Sequence, residues 1–157
     1  MAVGALVKKL QNIMREDAGI NGNAQRIEQM VWMFFLKIYD AKEEDWELMD
    51  DGYESIIPEE LRWHSWAIDN NDGKALTGTE LLSFVNNELF PRLSGLEITS
   101  RTTQGQAIVK YAFESAHNYM QDGTLLRRVI NEINELVDFS EYKEIHAFAE
   151  IYETILK

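Results

Sequence analysis

Residues 27–38 put apolar side chains on most sides of a helix, and this limits the folds open to the chain more than any other feature. Ile27, Met30, Val31, Phe34, Phe35 and Ile38 follow the i, i+3, i+4 spacing of one helical face, while Trp32, Met33 and Leu36 occupy the remaining faces. A helix with so little polar surface has to be surrounded, so it belongs at the centre of a helical bundle. Each such side chain contributes roughly 1.5–3 kcal/mol on burial, which makes this segment the expected heart of the core. Phe35→Asp is accordingly expected to strand a charge inside the bundle and to unfold a domain of ordinary stability. The run does not read as a membrane span, because Lys37 and Asp40 close it well short of the ~18 apolar residues required.

Directly behind the apolar run comes the opposite chemistry. Residues 40–60 hold ten Asp and Glu against a single Lys, and the whole chain carries 27 acidic against 15 basic residues, a net charge of −12. That is the wrong sign for a protein that grips nucleic acid through its overall field. The acidic block, with pairs such as Glu43-Glu44 and Asp50-Asp51, reads as a solvated rim where the buried helix emerges. General acid/base work would need one of those carboxyls desolvated, and their polar neighbours argue against it. Lys8, Lys9 and Arg15 near the N-terminus, with Arg127 and Arg128 farther on, are the candidates for local contacts with phosphates or a protein partner. The absence of cysteine excludes disulfides and thiolate metal ligands, and fits a cytoplasmic protein.

Elsewhere apolar residues recur at helical spacing rather than alternating, so the expected fold is all-α: an irregular helical bundle of about six helices with a long aromatic-rich connection, forming one domain over 1–157. Leu6, Leu10, Ile13 and Met14 mark the first helix, and Asn23 is the expected N-cap of the second. From residue 40 to 71 the periodicity fades into a connection pinned by Trp63 and Trp66. Thr77 and Glu80 have capping-box spacing ahead of a helix carrying Leu81, Leu82, Val85 and Leu89, which Pro91 is expected to stop. Three further helices are expected: 104–119 on Ile108, Tyr111, Ala112 and Ala116; 125–137 on Leu126, Val129, Ile130 and Ile133; and 142–156 on Ile145, Phe148, Ile151, Tyr152 and Ile155.

Catalytic motifs are missing. No two glycines stand two apart, so the chain holds neither a dinucleotide fingerprint nor the glycine-rich turn of a methyl-donor fold, and Gly73-Lys74 lacks the upstream Gly and following Ser or Thr of a phosphate loop. A calcium-loop alignment on Gly73 puts Ile68 and Thr79 where acidic ligands are needed. His64, His117 and His146 are far apart in sequence, and no serine sits in a nucleophile elbow. No catalytic, cofactor-binding or metal-ligating residue is assigned.

The order of segments carries a family resemblance. An N-terminal Leu-x-x-x-Leu helix is followed by Phe34-Phe35-Leu36-Lys37, Leu82-Ser83-Phe84-Val85-Asn86-Asn87, Leu125-Leu126-Arg127-Arg128-Val129-Ile130-Asn131 and Ile151-Tyr152-Glu153-Thr154-Ile155-Leu156. This resembles the N-terminal helical domain of the modification (HsdM-type) subunit of type I restriction-modification systems. The resemblance implies that an S-adenosylmethionine-dependent, adenine-specific methyltransferase domain follows in the full-length subunit. That domain uses an Asn-Pro-Pro-aromatic motif, which this chain cannot supply because its only prolines are Pro58 and Pro91. It further implies partners: the specificity subunit, a second modification subunit, the restriction subunit, and DNA within the assembled complex, with no membrane. The alternative left open by the residues is a free-standing acidic helical adaptor or DNA mimic, suggested by the net charge of −12.

Overall fold

The computed structural model describes residues 3–69 and 75–135. Among them the structure is all-α, in six helical rods around one apolar core. The first, α1 (Val3–Met14), buries Leu6, Val7, Leu10, Ile13 and Met14. Its partner α7 (Gly123–Glu135) buries Leu125, Leu126, Val129, Ile130 and Ile133, so two amphipathic helices close on each other through the faces their spacing marks out. Asp122 caps α7, its Oδ1 accepting the backbone N–H groups of Thr124 at 2.9 Å and Leu125 at 3.1 Å. Gly123 has no substitute at this point, since a methyl group built there would sit 1.8 Å from the carbonyl oxygen of Gly78 at the start of α4.

The long rod α2 (Gly22–Met49) is the axis of the molecule. Met30, Trp32, Met33, Phe34, Leu36 and Ile38 are buried, so the helix is enclosed on several sides as its sequence requires. Two expectations change. Asn23 lies inside the first turn; the cap position belongs to Asn21, because Gly22 takes a positive φ of +83° and turns the chain into the helix earlier. The fading periodicity beyond residue 40 does not end the helix, which continues to Met49 on polar contacts described below.

The connection that follows is anchored by its tryptophans. A 3₁₀ turn (Glu59–Leu61) leads into the single turn α3 (Trp63–Trp66). There Trp63 donates to Asn134 Oδ1 at 2.8 Å and Trp66 to the Leu61 carbonyl at 3.0 Å.

Next comes one continuous rod: α4 (Gly78–Phe84), a π turn (Val85–Leu89) and α5 (Phe90–Ser94). Pro91 does not stop it. Within an α-helix the proline ring would collide with the carbonyl four residues back and leave that carbonyl unpaired. Here the preceding turn is widened, with the Phe90 N–H bonding the Val85 carbonyl, and the proline falls in the first turn of the re-started α-helix. The Thr77 capping box does not form either, since the Thr77 side chain makes no cap bond and Gly78 takes a φ of +58°. A capping box forms instead at α6 (Gln104–Ser115), where Thr103 and Gln106 exchange side-chain and backbone bonds of 3.1 Å each.

Helix α6 stops at Ser115, short of the expected residue 119, and its inward face is Val109 and Phe113. Ile108 and Tyr111, expected in the core, are 51% and 57% exposed. The segment 116–122 is irregular and held by buried polar groups. Gln29 donates to Asn118 Oδ1 at 2.8 Å and accepts the Tyr119 N–H at 2.7 Å. Asp17 receives the backbone N–H groups of Gly19, Gln121 and Asp122 at 2.8–3.1 Å. The expected helix over 142–156 lies outside the described residues.

Candidate functional site: a charged node under the acidic rim

The acidic half of α2 is not uniformly solvated. Asp40, Glu43 and Glu47 recur at i, i+3, i+7 and so share one face, and the first two are buried, Glu43 with 0% of its surface exposed. This corrects the reading of the block as a surface rim: its inner row faces cations delivered by the tryptophan-anchored connection. Arg62, itself buried, places Nη2 2.7 Å from Glu47, Nη1 3.2 Å from Glu59, and Nε 3.4 Å from Glu43 and 3.7 Å from Asp40. His64 sets Nδ1 2.9 Å from Asp40 and Nε2 3.0 Å from Glu59. Glu43 also accepts from the Tyr53 hydroxyl at 2.6 Å and the Ser55 hydroxyl at 2.8 Å. A buried carboxylate without such partners would be strongly destabilising.

The titration behaviour follows from this packing. Burial pushes the Glu43 carboxyl above its ordinary value, while the Ser55 and Tyr53 hydroxyls and then Arg62 pull it back part of the way. Burial pulls the His64 imidazole down, but its bonds to Asp40 and Glu59 more than offset that and hold it above 6.5. The Tyr53 phenol, buried beside Glu43, is pushed up to about 12. Asp40, Glu44 and His64 do bring three metal-type donor atoms within 4.8 Å of one another. However, both ring nitrogens of His64 are already turned on carboxylates, Nδ1 on Asp40 and Nε2 on Glu59, and Arg62 supplies positive charge to the same cluster. The donor set suits an ionic lock between α2 and the connection.

Outside the lock the rim survives. Glu44, Asp45, Asp50 and Asp51 are exposed, and among them Leu48 and Met49 are 83% and 85% exposed.

The basic candidates divide into two groups. Lys8, Lys9, Arg15 and Arg128 stand on the α1/α7 side of the bundle, but accompanied by acids: Lys9 meets Glu132 at 2.9 Å, and Arg128 meets Glu16 at 3.4 Å. Arg15 donates to Asn12 at 2.8 Å, and Lys8 is exposed. Arg127 is separated from them. It is buried, with Nε 3.0 Å from Asn131 Oδ1, Nη1 3.4 Å from the Leu76 carbonyl and Nη2 bonded to the Ala67 carbonyl, and so it ties α7 to the end of α3 and to the residues just ahead of α4. Its neighbour Arg128 points outward because one residue is about 100° of helix.

A family model described as the HsdM N-terminal domain matches residues 3–133. The chain belongs to that family. Over its whole length it is 48% identical to the Type I restriction enzyme EcoEI methylase subunit of Escherichia coli, of which it covers 31%. Among solved structures, a modification subunit of a putative type I restriction enzyme from Vibrio vulnificus YJ016 superposes with a TM-score of 0.79 at 31% identity, over 98% of this chain and 34% of that one. A second, from a study of complex assembly and conformational transition of the type I R-M system, gives a TM-score of 0.76 at 29% identity, over 96% of this chain and 28% of that one. The chain therefore spans about a third of the length of the relatives it matches. Of the segments that carried the resemblance, those of the HsdM N-terminal domain that lie in the described residues are structural: Phe34 and Leu36 are buried in α2, 82–87 runs into the π turn, and 125–131 supplies Leu125, Leu126, Val129 and Ile130 to the buried face of α7.

Proposed function

We propose that this chain is the assembly and DNA-clamp module of a type I adenine-specific DNA methyltransferase subunit, a helical body that positions the catalytic domain and specificity subunit around DNA and leaves methyl transfer to residues elsewhere in the subunit. The observation that carries this reading is the match of the chain, over essentially its full length, to about one third of several modification subunits. S-adenosylmethionine, on this reading, is a cofactor of the full-length subunit. The charge distribution supports contact with DNA only inside a complex, because the basic side chains on α1 and α7 stand among Glu16, Glu132 and Glu135 and the chain is strongly acidic overall. The DNA-mimic alternative is weakened by the same lock described above: a mimic displays its carboxylates, whereas Asp40 and Glu43 are turned inward on Arg62.

Complementation tests the proposal. A modification subunit lacking its N-terminal domain should methylate DNA poorly in the presence of the specificity subunit, and adding this chain in trans should restore DNA affinity and methylation. The chain alone should neither bind S-adenosylmethionine nor hold duplex DNA at physiological salt. Failure to restore either property, or saturable methyl-donor binding by the isolated chain, would defeat the reading.

A further inference from the structure

Helix α6 carries apolar side chains on more than one face, and among the described residues only one of these faces is fully covered. Val109 and Phe113 enter the core, Ala112 and Ala116 beside them are half-buried, and Ile108 and Tyr111 farther round are exposed. Helix α2 runs antiparallel beside it: the Trp46 ring lies against Gly105 at one end, and Phe35 is 6.2 Å from Phe113 farther along. From α2 the half-buried Ile27, Val31 and Phe35, four residues apart, face Ala112 and Ala116 across a groove of about 260 Å³. Trp32 and Phe113 floor it, and Trp32 Nε1 is buried there without an acceptor among the described residues. Glu28 stands at its edge, and Glu114 is exposed one turn beyond Tyr111.

We infer that this groove seats an amphipathic helix with Lys and Arg flanking its apolar stripe, contributed by the part of the modification subunit that this chain does not include. The inference rests on the proposed function and names the surface by which the domain is held. Four observations converge on it. The groove falls below the roughly 300–1,000 Å³ usual for small-molecule and cofactor sites, and is bounded by two helices, which suits side chains delivered from a third. Glu28 makes its edge acidic, and Lys42, two turns beyond Phe35 on α2, is already engaged, so charge complementarity favours a basic occupant. A second copy of this chain is a poor occupant, since each copy carries −12. Finally, the chain covers 31% of its E. coli relative, so the same subunit in that family brings a larger body of polypeptide to pack against it.

The test uses the full-length modification subunit carrying this chain, with a photo-crosslinking amino acid at Ser115 on the groove wall. Irradiation should give an intramolecular cross-link to a segment whose apolar residues recur every three to four positions between Lys and Arg. The double variant Glu28→Lys/Ser115→Lys, at two exposed residues that line the groove, should release the domain, raising its rate of excision by limited proteolysis about tenfold, or about 1.4 kcal/mol of lost docking. The excised fragment should keep its helical circular dichroism and thermal midpoint. A cross-link to another subunit, a cross-link to a second copy, no cross-link, or an unchanged excision rate in the double variant would each overturn the inference. Success of the parent chain in the complementation experiment alongside any of those results would leave the proposed function standing and remove the groove alone.

Discussion

Each half of α2 buries some of its side chains completely, but by different means. In the first half, Met30, Met33, Phe34 and Leu36 are enclosed by side chains as apolar as themselves. In the second, Asp40 and Glu43 are enclosed by Arg62, His64, Tyr53 and Ser55. Apolar packing is non-directional and tolerates replacement by anything of similar volume, whereas a buried ion network holds only while every charge has its counterpart. One rod therefore combines a tolerant half with a half that fixes where the following connection must lie.

The sharpest way to break that contrast is to remove one member from each half. Arg62→Met leaves Glu43 and Asp40 buried without their cation and should lower unfolding free energy by about 3–5 kcal/mol in urea titrations. Adding Glu43→Gln to it should recover part of that loss, as expected of coupled partners. Phe34→Ala should also cost about 3–5 kcal/mol, but through a cavity that Glu43→Gln leaves unchanged. Additive free energies for Arg62 and Glu43 would show that the lock is not a coupled unit.

Within the apolar half, position decides magnitude. Phe35 lines the open groove and is only half-buried, so Phe35→Asp should cost roughly 1–3 kcal/mol, clearly less than Phe34→Asp, and not the global unfolding that its place in the sequence stripe suggests. Equal losses of thermal midpoint at the two positions would mean that the groove is closed in solution.

A smaller effect concerns pH. The folded-state value of His64 lies above 6.5, so its contribution is fully present below the unfolded value and is lost as pH rises through the folded one. Because a third of the side chain is exposed, the effect should be below about 1 kcal/mol. His64→Gln should flatten the stability profile above pH 6.5; a profile with the parent's slope would assign the titration to another group. The smallest effect is expected at the rim: Leu48→Ser/Met49→Ser removes no buried contact and should move stability of the isolated chain by no more than about 0.5 kcal/mol.

How legible these regions were in the sequence follows from the range of their interactions. The inward faces of α1 and α7, and the apolar half of α2, repeat every three or four residues and could be read locally. The lock could not, because Arg62 and His64 lie some twenty residues beyond the carboxylates they meet, and nothing near Glu43 distinguishes it from the exposed Glu44. Asp17 is a similar case, a loop residue whose ligands Gln121 and Asp122 come from the far end of the chain. The Thr103-x-x-Gln106 cap had a local signature that was available to be read, whereas Thr77 had the same spacing without the backbone to use it. For α6, a helix with apolar residues on more than one face gives no indication of which face is covered, and among the described residues the face supplying Ile108 and Tyr111 is the one left open.

The widened turn ahead of Pro91 gives the α4–α5 rod one residue more than an ordinary helical phase would hold. Trimming a single residue from Val85–Leu89 would thus not be a minor shortening. It would rotate the distal end by about 100°, taking Leu93 out of the interior and Arg92 away from its 2.6 Å contact with Glu60. It would also press the pyrrolidine ring against a carbonyl it now avoids. Length in this short stretch is therefore held more tightly than the identity of its exposed asparagines, and an insertion–deletion scan should find it intolerant where a substitution scan finds it permissive.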